Sequence, residues 1–305
     1  MKISVVTTLY CSAGFLEKFY ERMTSVLKET ADESEIIFVH DGSPDNSLDI
    51  AVSLQANDQK VKVIDLSRNF GHHKAIMTGL RHASGELVFL IDCDLEEDPG
   101  LLRVYLRKYR EDQKCDVVYG IQKNRKGKWF EKISGDLFYR MINFLSGENM
   151  PRNVSLSRLM SNRYVKDLIS FQDQEPYLPG LWHFTGYRQV SIPIEKKCNG
   201  VSTYTLQKKI ALSINAITSF SEKPLVYIFY TGLLISFLSL TYAAFCFAAW
   251  FFWERPITGW SSLIVSIWII GGLVIFFLGV IGIYLSRIFV ESKKRPYTIV
   301  KKIYQ

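Results

Sequence analysis

Two carboxylates one residue apart close the run Leu87-Val88-Phe89-Leu90-Ile91-Asp92-Cys93-Asp94. Five apolar residues in a row read as a strand buried on both faces, as inside a parallel sheet. Ligands of open α/β sheets bind outside the carboxyl ends of the strands, so Asp92 and Asp94 stand where chemistry is done. Two such groups can share a hard divalent cation, Mg²⁺ or Mn²⁺, which prefers oxygen ligands and can bridge to substrate phosphates. An Asp-x-Asp taken alone reads equally as a polar turn at a strand end. Its surroundings must decide.

The flanking elements position that strand. Residues 3–10 read as a strand ending in Thr8 and Tyr10. A helix follows, with Phe15, Phe19, Met23 and Val26 on one stripe. Glu35 to Val39 form a second strand, ending at His40-Asp41-Gly42-Ser43. Ser43 or Asp45 can cap the next helix. A third strand spans Val61 to Leu66, a helix runs from His72 to His82, and the Asp92 strand comes next. A helix from Pro99 to Glu111 precedes a fifth strand, Asp116 to Tyr119. Strands alternating with helices predict an α/β fold with a doubly wound, mostly parallel sheet. Tyr10, Asp41 and Asp92/Asp94 then face one crevice. No Gly-x-Gly-x-x-Gly follows the first strand and no Gly-Lys-Ser/Thr loop is present, so carboxylates with a metal become the means of holding a diphosphate. Asp41 is placed to accept hydrogen bonds from a base or ribose.

Hydrophobic residues make up 48% of the 305, unevenly spread. Pro224 to Trp253 and Pro256 to Ser286 carry no charge, and each run exceeds the roughly 20 residues that cross a bilayer. They predict two transmembrane helices joined by a short loop. That loop offers one cation, Arg255, whereas the tail offers Arg287, Lys293, Lys294, Arg295, Lys301 and Lys302. Both termini are therefore expected in the cytoplasm. The organisation expected is a cytoplasmic domain over 1–205, an amphipathic interfacial helix over 206–222, spans at 224–253 and 256–286, and a basic tail over 287–305. The stripes over 206–220 (Leu206, Ile210, Ile214, Ile217 and Phe220) and 129–145 (Phe130, Ile133, Leu137, Phe138, Met141 and Leu145) could each pack on the sheet or lie on the membrane, and the membrane is the expectation for the one that leads straight into a span. The net charge of +7 gathers near the apolar runs, which points to anionic lipid rather than nucleic acid. Five cysteines without paired spacing read as free thiols of a reducing compartment.

The order Thr8-x-Tyr10, His40-Asp41-Gly42-Ser43, Arg68-Asn69-Phe70-Gly71, Asp92-Cys93-Asp94-Leu95 and two C-terminal spans resembles the family 2 glycosyltransferases. Within them it resembles the polyprenyl-phosphate branch, which includes dolichol-phosphate mannose synthase and the bacterial bactoprenol glucosyltransferases. The tail Tyr284-Leu285-x-Arg287 and Lys294-Arg295-Pro296-Tyr297 fits the bacterial members. The resemblance implies a GT-A-like nucleotide-sugar domain. It puts Thr8, Tyr10, Val39, Asp41 and Cys93 at the nucleotide. Asp92, Asp94 and Glu96 fall at the Mg²⁺ or Mn²⁺, with Asp92 and Asp94 catalytic. Lys132, Ser134, Lys197, Ser202 and Tyr204 fall at the acceptor phosphate. His40, Cys11, Ser12, Gln122, Lys197 and Thr203 depart from the family's usual residues.

The activity implied is inverting transfer from a nucleotide-sugar, UDP-linked by likeness to the bacterial members, to undecaprenyl or another polyprenyl phosphate. The location implied is the cytoplasmic face of a bacterial inner membrane, and homo-oligomerisation stays open. A rival is the same fold acting on a glycan hydroxyl, which needs a base; Asp173 and Glu175 are its candidates. The other rival is an inactive membrane scaffold.

Overall fold

The computed structural model describes residues 1–112, 114–122, 154–196, 223–252 and 259–305. The described residues up to 196, together with Arg295–Gln305, form one compact unit; the apolar helices form another. The segments 129–145 and 206–222, expected at the membrane surface, lie outside the described residues.

The first unit is built on a sheet of eight strands: β1 (Lys2–Leu9), β2 (Glu33–His40), β3 (Val61–Leu66), β4 (Leu87–Leu90), β5 (Val117–Gln122), β6 (Val154–Ser161), β7 (Gln189–Ile194) and β8 (Val300–Tyr304). Their order across the sheet is β7-β5-β6-β4-β1-β2-β3-β8. β1 to β4 are mutually parallel, as the alternation of strands and helices predicts. β6 runs antiparallel to both of its neighbours, β4 and β5, and β8 runs antiparallel to β3. The sheet is therefore mixed. β6 wedges between two strands that are adjacent in sequence, an arrangement no local pattern announces.

Helices α1 (Ala13–Thr30), α2 (Ser47–Asn57), α3 (His72–Arg81) and α4 (Leu101–Glu111) connect the first five strands, and α5 (Asn162–Ser170) and α6 (Leu178–Phe184) follow β6. The expected stripe on α1 buries Phe19, Met23 and Val26, but Phe15 is exposed and Leu16, one position on, enters the core instead. Phe19 meets Phe38 of β2 edge-on at 6.4 Å, and Phe89 of β4 meets Tyr105 of α4 at 6.0 Å. Such pairs add about 1 kcal/mol beyond area burial. β4 is buried along its whole length, as a strand covered on both faces should be.

Two close approaches fix the crevice end of the sheet. Gly42, just after β2, has φ +59°. A Cβ there would lie 2.4 Å from the backbone nitrogen of Asn69 and 2.5 Å from the carbonyl carbon of Arg68. The loop after β2 is thus pressed onto the loop after β3, and only glycine fits.

The second feature is β8. The sequence pattern suggested only a basic tail there. Val300–Tyr304 instead pairs with β3, and the Ser67 amide donates to the Ile299 carbonyl at 2.9 Å. Tyr297 is buried beneath the Arg81 guanidinium, and Thr298 hydrogen-bonds Thr78 at 2.8 Å. Lys301 lies 3.8 Å from Asp65. The end of the chain is therefore the edge of the sheet.

The second unit contains α7 (Lys223–Phe252) and α8 (Trp260–Ser292). Among the described residues, one stretch is long and apolar enough to cross a membrane, Ser266–Ser292; Lys223–Ile235 is a shorter apolar stretch. Trp268 and Ile275 are largely exposed, so α8 carries apolar residues that the protein itself does not cover.

Two outcomes follow. Gly42→Ala forces a positive φ on a Cβ that meets backbone, and should cost about 3 kcal/mol or more. Thermal unfolding of the full-length protein in detergent checks this, and an unchanged midpoint would show that the two loops can separate freely. Deleting residues 299–305 should expose the β3 edge, lower the midpoint by more than about 4 °C and promote aggregation, read by light scattering.

Candidate active site

The parallel strands bring their carboxyl ends to one side of the sheet. The pairings Val6↔Leu90 and Leu9↔His40 align the ends of β1, β2 and β4. Tyr10, Asp41 and the Asp92–Asp94 pair thus follow the aligned ends of neighbouring parallel strands. Backbone strain marks the same edge: Cys11 after β1 and Leu95 after β4 both adopt positive φ, 53° and 58°. A left-handed non-glycine residue costs about 1–2 kcal/mol, and such strain gathers at functional sites.

Asp41 is buried, and both of its oxygens are used. The Phe70 amide donates to Oδ1 at 2.7 Å and the Gly71 amide to Oδ2 at 3.0 Å. Burial pushes its carboxyl above the ordinary value, against those two donors. Asp41 thus clamps the Arg68–Gly71 loop onto β2, a role that its expected contact with a nucleotide did not include. His40 supports the same corner. Its Nε2 accepts from the Ser43 amide at 3.0 Å, so Nδ1 carries the proton and donates to Asp65 at 2.8 Å. Asp45 ties this corner to the first loop. It accepts from the Ser43 and Ser47 hydroxyls, each at 2.6 Å, and from the Ala13 amide at 3.0 Å. Burial opposes its charge, but these donors outweigh it and hold its carboxyl well below the usual range.

Negative charge crowds after β4. Burial and then the charges of Asp94, Glu97 and Glu96 push the Asp92 carboxyl up to about 7, with Lys196 opposing. Asp94 is raised as well, first by burial, although the Glu96 amide donates to its Oδ1 at 2.9 Å. His72, at the start of α3, bridges Thr8 and Asp92. Its Nδ1 is 3.0 Å from the Thr8 hydroxyl and its Nε2 is 3.7 Å from Asp92. Burial, then His73 and Lys196, push His72 down to about 4, so near neutral pH it faces Asp92 uncharged. Lys196, two residues past β7, lies 3.0 Å from Glu96 and 3.6 Å from Glu97. Burial disfavours its charge, but Glu96, Glu97 and Asp92 raise its ammonium above the ordinary value. Glu97 is 1% exposed and accepts from the Ser155 hydroxyl of β6, while its Oε2 has no hydrogen-bond partner among the described residues.

The residues suit a hard cation in part. Asp92, Asp94 and the unmet oxygen of Glu97 are oxygen donors in a cluster short of positive charge. Among the described residues, no group of three or more His, Cys, Asp or Glu is arranged to hold a metal ion. One or two carboxylates would therefore carry it, with phosphate oxygens and water completing the shell, as is usual for Mg²⁺.

The expected nucleotide residues separate into two groups. Tyr10 is 53% exposed, its ring free on the crevice, and Thr8 lies at its floor against His72. The side chains of Val39 and Cys93 are buried in the sheet instead, with the Cys93 thiol directed to the Thr8 carbonyl at 3.4 Å. With both side chains buried, these two positions can meet a nucleotide only through backbone. Glu96, expected at the metal, is paired with Lys196. Lys132, Ser134, Lys197, Ser202 and Tyr204 lie outside the described residues. The segment carrying Asp173 and Glu175 reaches the start of α3, where His73 Nδ1 donates to the Pro176 carbonyl at 3.1 Å. His72, Glu97, Ser155 and Lys196 were missed by sequence reasoning. The pair His72-His73 right after Gly71 was the one local signal for any of them.

Comparison with known proteins agrees with this architecture. A family model, glycosyl transferase family 2, matches residues 4–169. A Mycobacterium tuberculosis protein (strain CDC 1551 / Oshkosh) named among glycosyltransferases is 45% identical, over 100% of this chain and 89% of its own. The bactoprenol glucosyl transferase of Shigella phage SfV is 30% identical, over 99% of this chain and 98% of its own. A solved structure of a mycobacterial protein, 16% identical, superposes with a TM-score of 0.51 over 71% of this chain and 72% of its own, a likeness of fold. The crevice, the acidic strand end and a family match over more than half of the chain converge: this protein belongs to glycosyl transferase family 2.

Proposed function

We propose that the protein transfers a sugar from a nucleoside-diphosphate donor, UDP-linked, to polyprenyl phosphate at the cytoplasmic face of a bacterial inner membrane. One observation carries this reading: the Asp92–Asp94 pair at the shared carboxyl end of β1, β2 and β4, with the Tyr10 ring open beside it. The full-length likeness to a protein named bactoprenol glucosyl transferase supports the lipid acceptor.

The residues divide the work. Tyr10 offers a flat ring for the base, and Asp41 keeps the loop below it in place. Asp92 and Asp94 would hold Mg²⁺ or Mn²⁺, which would neutralise charge on the leaving diphosphate. Lys132, Ser134, Lys197, Ser202 and Tyr204 are assigned to the acceptor phosphate. A phosphate oxygen is already ionised near neutral pH, so it needs positioning against the anomeric carbon more than a base. A single displacement then inverts that centre. In the hydroxyl-acceptor reading, Asp173 or Glu175 would have to take a proton.

The sheet also bears on topology. β1 to β7 precede the apolar helices and β8 follows them, yet β8 is hydrogen-bonded into the same sheet. Both ends of the apolar segment therefore return to one side, which supports an even number of crossings. α8 is long enough to span, and the uncharged run that contains α7 supports reading α7 as the second span.

Asp94→Asn keeps an acceptor for the Glu96 amide but loses the charge. It should leave the melting midpoint within about 1–2 °C and reduce transfer roughly a hundredfold or more. The assay follows a panel of labelled nucleotide-sugars into undecaprenyl phosphate. Near-normal turnover of the variant in Mg²⁺ or Mn²⁺ would remove Asp94 from the mechanism. Label in a water-soluble glycan would favour the hydroxyl reading, and none from any donor the scaffold.

For topology, a cysteine at Thr258 should react with an impermeant maleimide on intact cells, and one at Arg295 should not. Native Cys11, exposed on the first unit, serves as the control and should label only after permeabilisation. The opposite pattern would place the crevice away from cytoplasmic nucleotide-sugars.

A further inference from the structure

Among the described residues, Lys196 is the cation set into an acidic cluster. Its Nζ lies 3.0 Å from Glu96 Oε2 and 3.6 Å from Glu97 Oε1, and its side chain is three-quarters buried. Glu97 is almost wholly buried, and its other oxygen has no hydrogen-bond partner among the described residues. Asp92 and Asp94 stand a few residues before these two glutamates, so among the described residues four carboxyl groups share the charge of this ammonium. β7 is parallel to β5 and leads its chain to the same end of the sheet as β4, which is why Lys196 arrives there. The ammonium is a compact charge on a flexible stem and pairs at one point at a time, whereas an arginine fork would lock onto a carboxylate. These are the properties of a counter-ion that can leave.

We propose that Lys196 is an exchanging counter-ion and a donor-binding residue. It neutralises Glu96 and Glu97 while the crevice is empty, and passes to the diphosphate of a nucleoside-diphosphate ligand when that ligand enters with its divalent cation. The inference rests on the reading of the crevice as a nucleotide-sugar site. Its logic is charge balance. A dication beside Asp92 and Asp94 gives the carboxylates a stronger partner and repels the ammonium. The arriving diphosphate offers that ammonium new anionic oxygens, and a charge-assisted bond to them is among the stronger hydrogen bonds. Before the donor enters, Lys196 and the dication compete for the same carboxylates. After it enters, they act together on the diphosphate.

The two stages predict opposite effects of one substitution. In full-length protein in detergent, Lys196→Met should bind Mn²⁺ more tightly than wild type without nucleotide, measured by paramagnetic resonance of free Mn²⁺. The same variant should bind UDP with Mg²⁺ about tenfold or more weakly by calorimetry, the size of one lost charge-assisted bond. UMP, which lacks the second phosphate, should bind both proteins alike. Lys196→Arg should restore UDP affinity at least partly. A merely structural lysine would weaken Mn²⁺, UDP and UMP together and lower the melting midpoint, and that result would overturn the proposal. Unchanged UDP affinity in Lys196→Met would overturn it too. If wild type binds Mn²⁺ but neither UDP nor any other nucleoside diphosphate, the donor reading fails. The nucleotide-free Mn²⁺ comparison still decides whether Lys196 is a competing counter-ion.

Discussion

Four carboxyl groups between Asp92 and Glu97 cannot all carry charge side by side without cations close at hand. This constraint organises the crevice. Burial first and this crowding next raise Asp92 to about 7, Lys196 comes in from β7, and an oxygen of Glu97 has no hydrogen-bond partner among the described residues. His72 meets Asp92 from the other side as a neutral imidazole, so it relieves none of the charge. Among the described residues the carboxylates outnumber the cations here, which suits a dication that arrives with its substrate.

The rest of the crevice is held by backbone donors and hydroxyls. Asp41 spends both oxygens on the loop after β3, and Asp45 gathers Ser43, Ser47 and Ala13 around one carboxylate. The two aspartates lie four residues apart and differ in electrostatic consequence. Burial dominates at Asp41 and raises it, while a shell of donors dominates at Asp45 and lowers it. Gly42 sits between them because the two loops approach too closely for a side chain. The Tyr10 ring is left exposed over a floor that has little freedom to move.

The last strand gives the chain's end a structural task. Val300–Tyr304 covers β3, an otherwise open edge of the sheet, and places two lysines on the new edge. Edge lysines discourage pairing with other chains. The same strand returns the chain, after two long apolar helices, to the sheet it started from. The helices are thereby bracketed by one folded unit, which turns a count of apolar residues into an argument about crossings.

Periodicity and end signals in the sequence determined much of this. The buried run before Asp92, the stripe on α1 apart from Phe15, the four parallel strands and the position of Tyr10, Asp41, Asp92 and Asp94 just past aligned strand ends follow from periodicity and from the alternation of strands with helices. Family membership was legible in ordered motifs for the same reason, since those motifs are the strand ends. Tertiary structure alone decided what came from far away in sequence. Lys196 reaches Glu96 across 100 residues, Ser155 reaches Glu97 across 58, and β8 reaches β3 after both apolar helices. It also decided side-chain direction, which sent Val39 and Cys93 into the core and occupied Asp41 with backbone amides. The physical reason is common to all of these. Local sequence sets period and polarity, whereas charge pairing and burial depend on which distant strand becomes the neighbour.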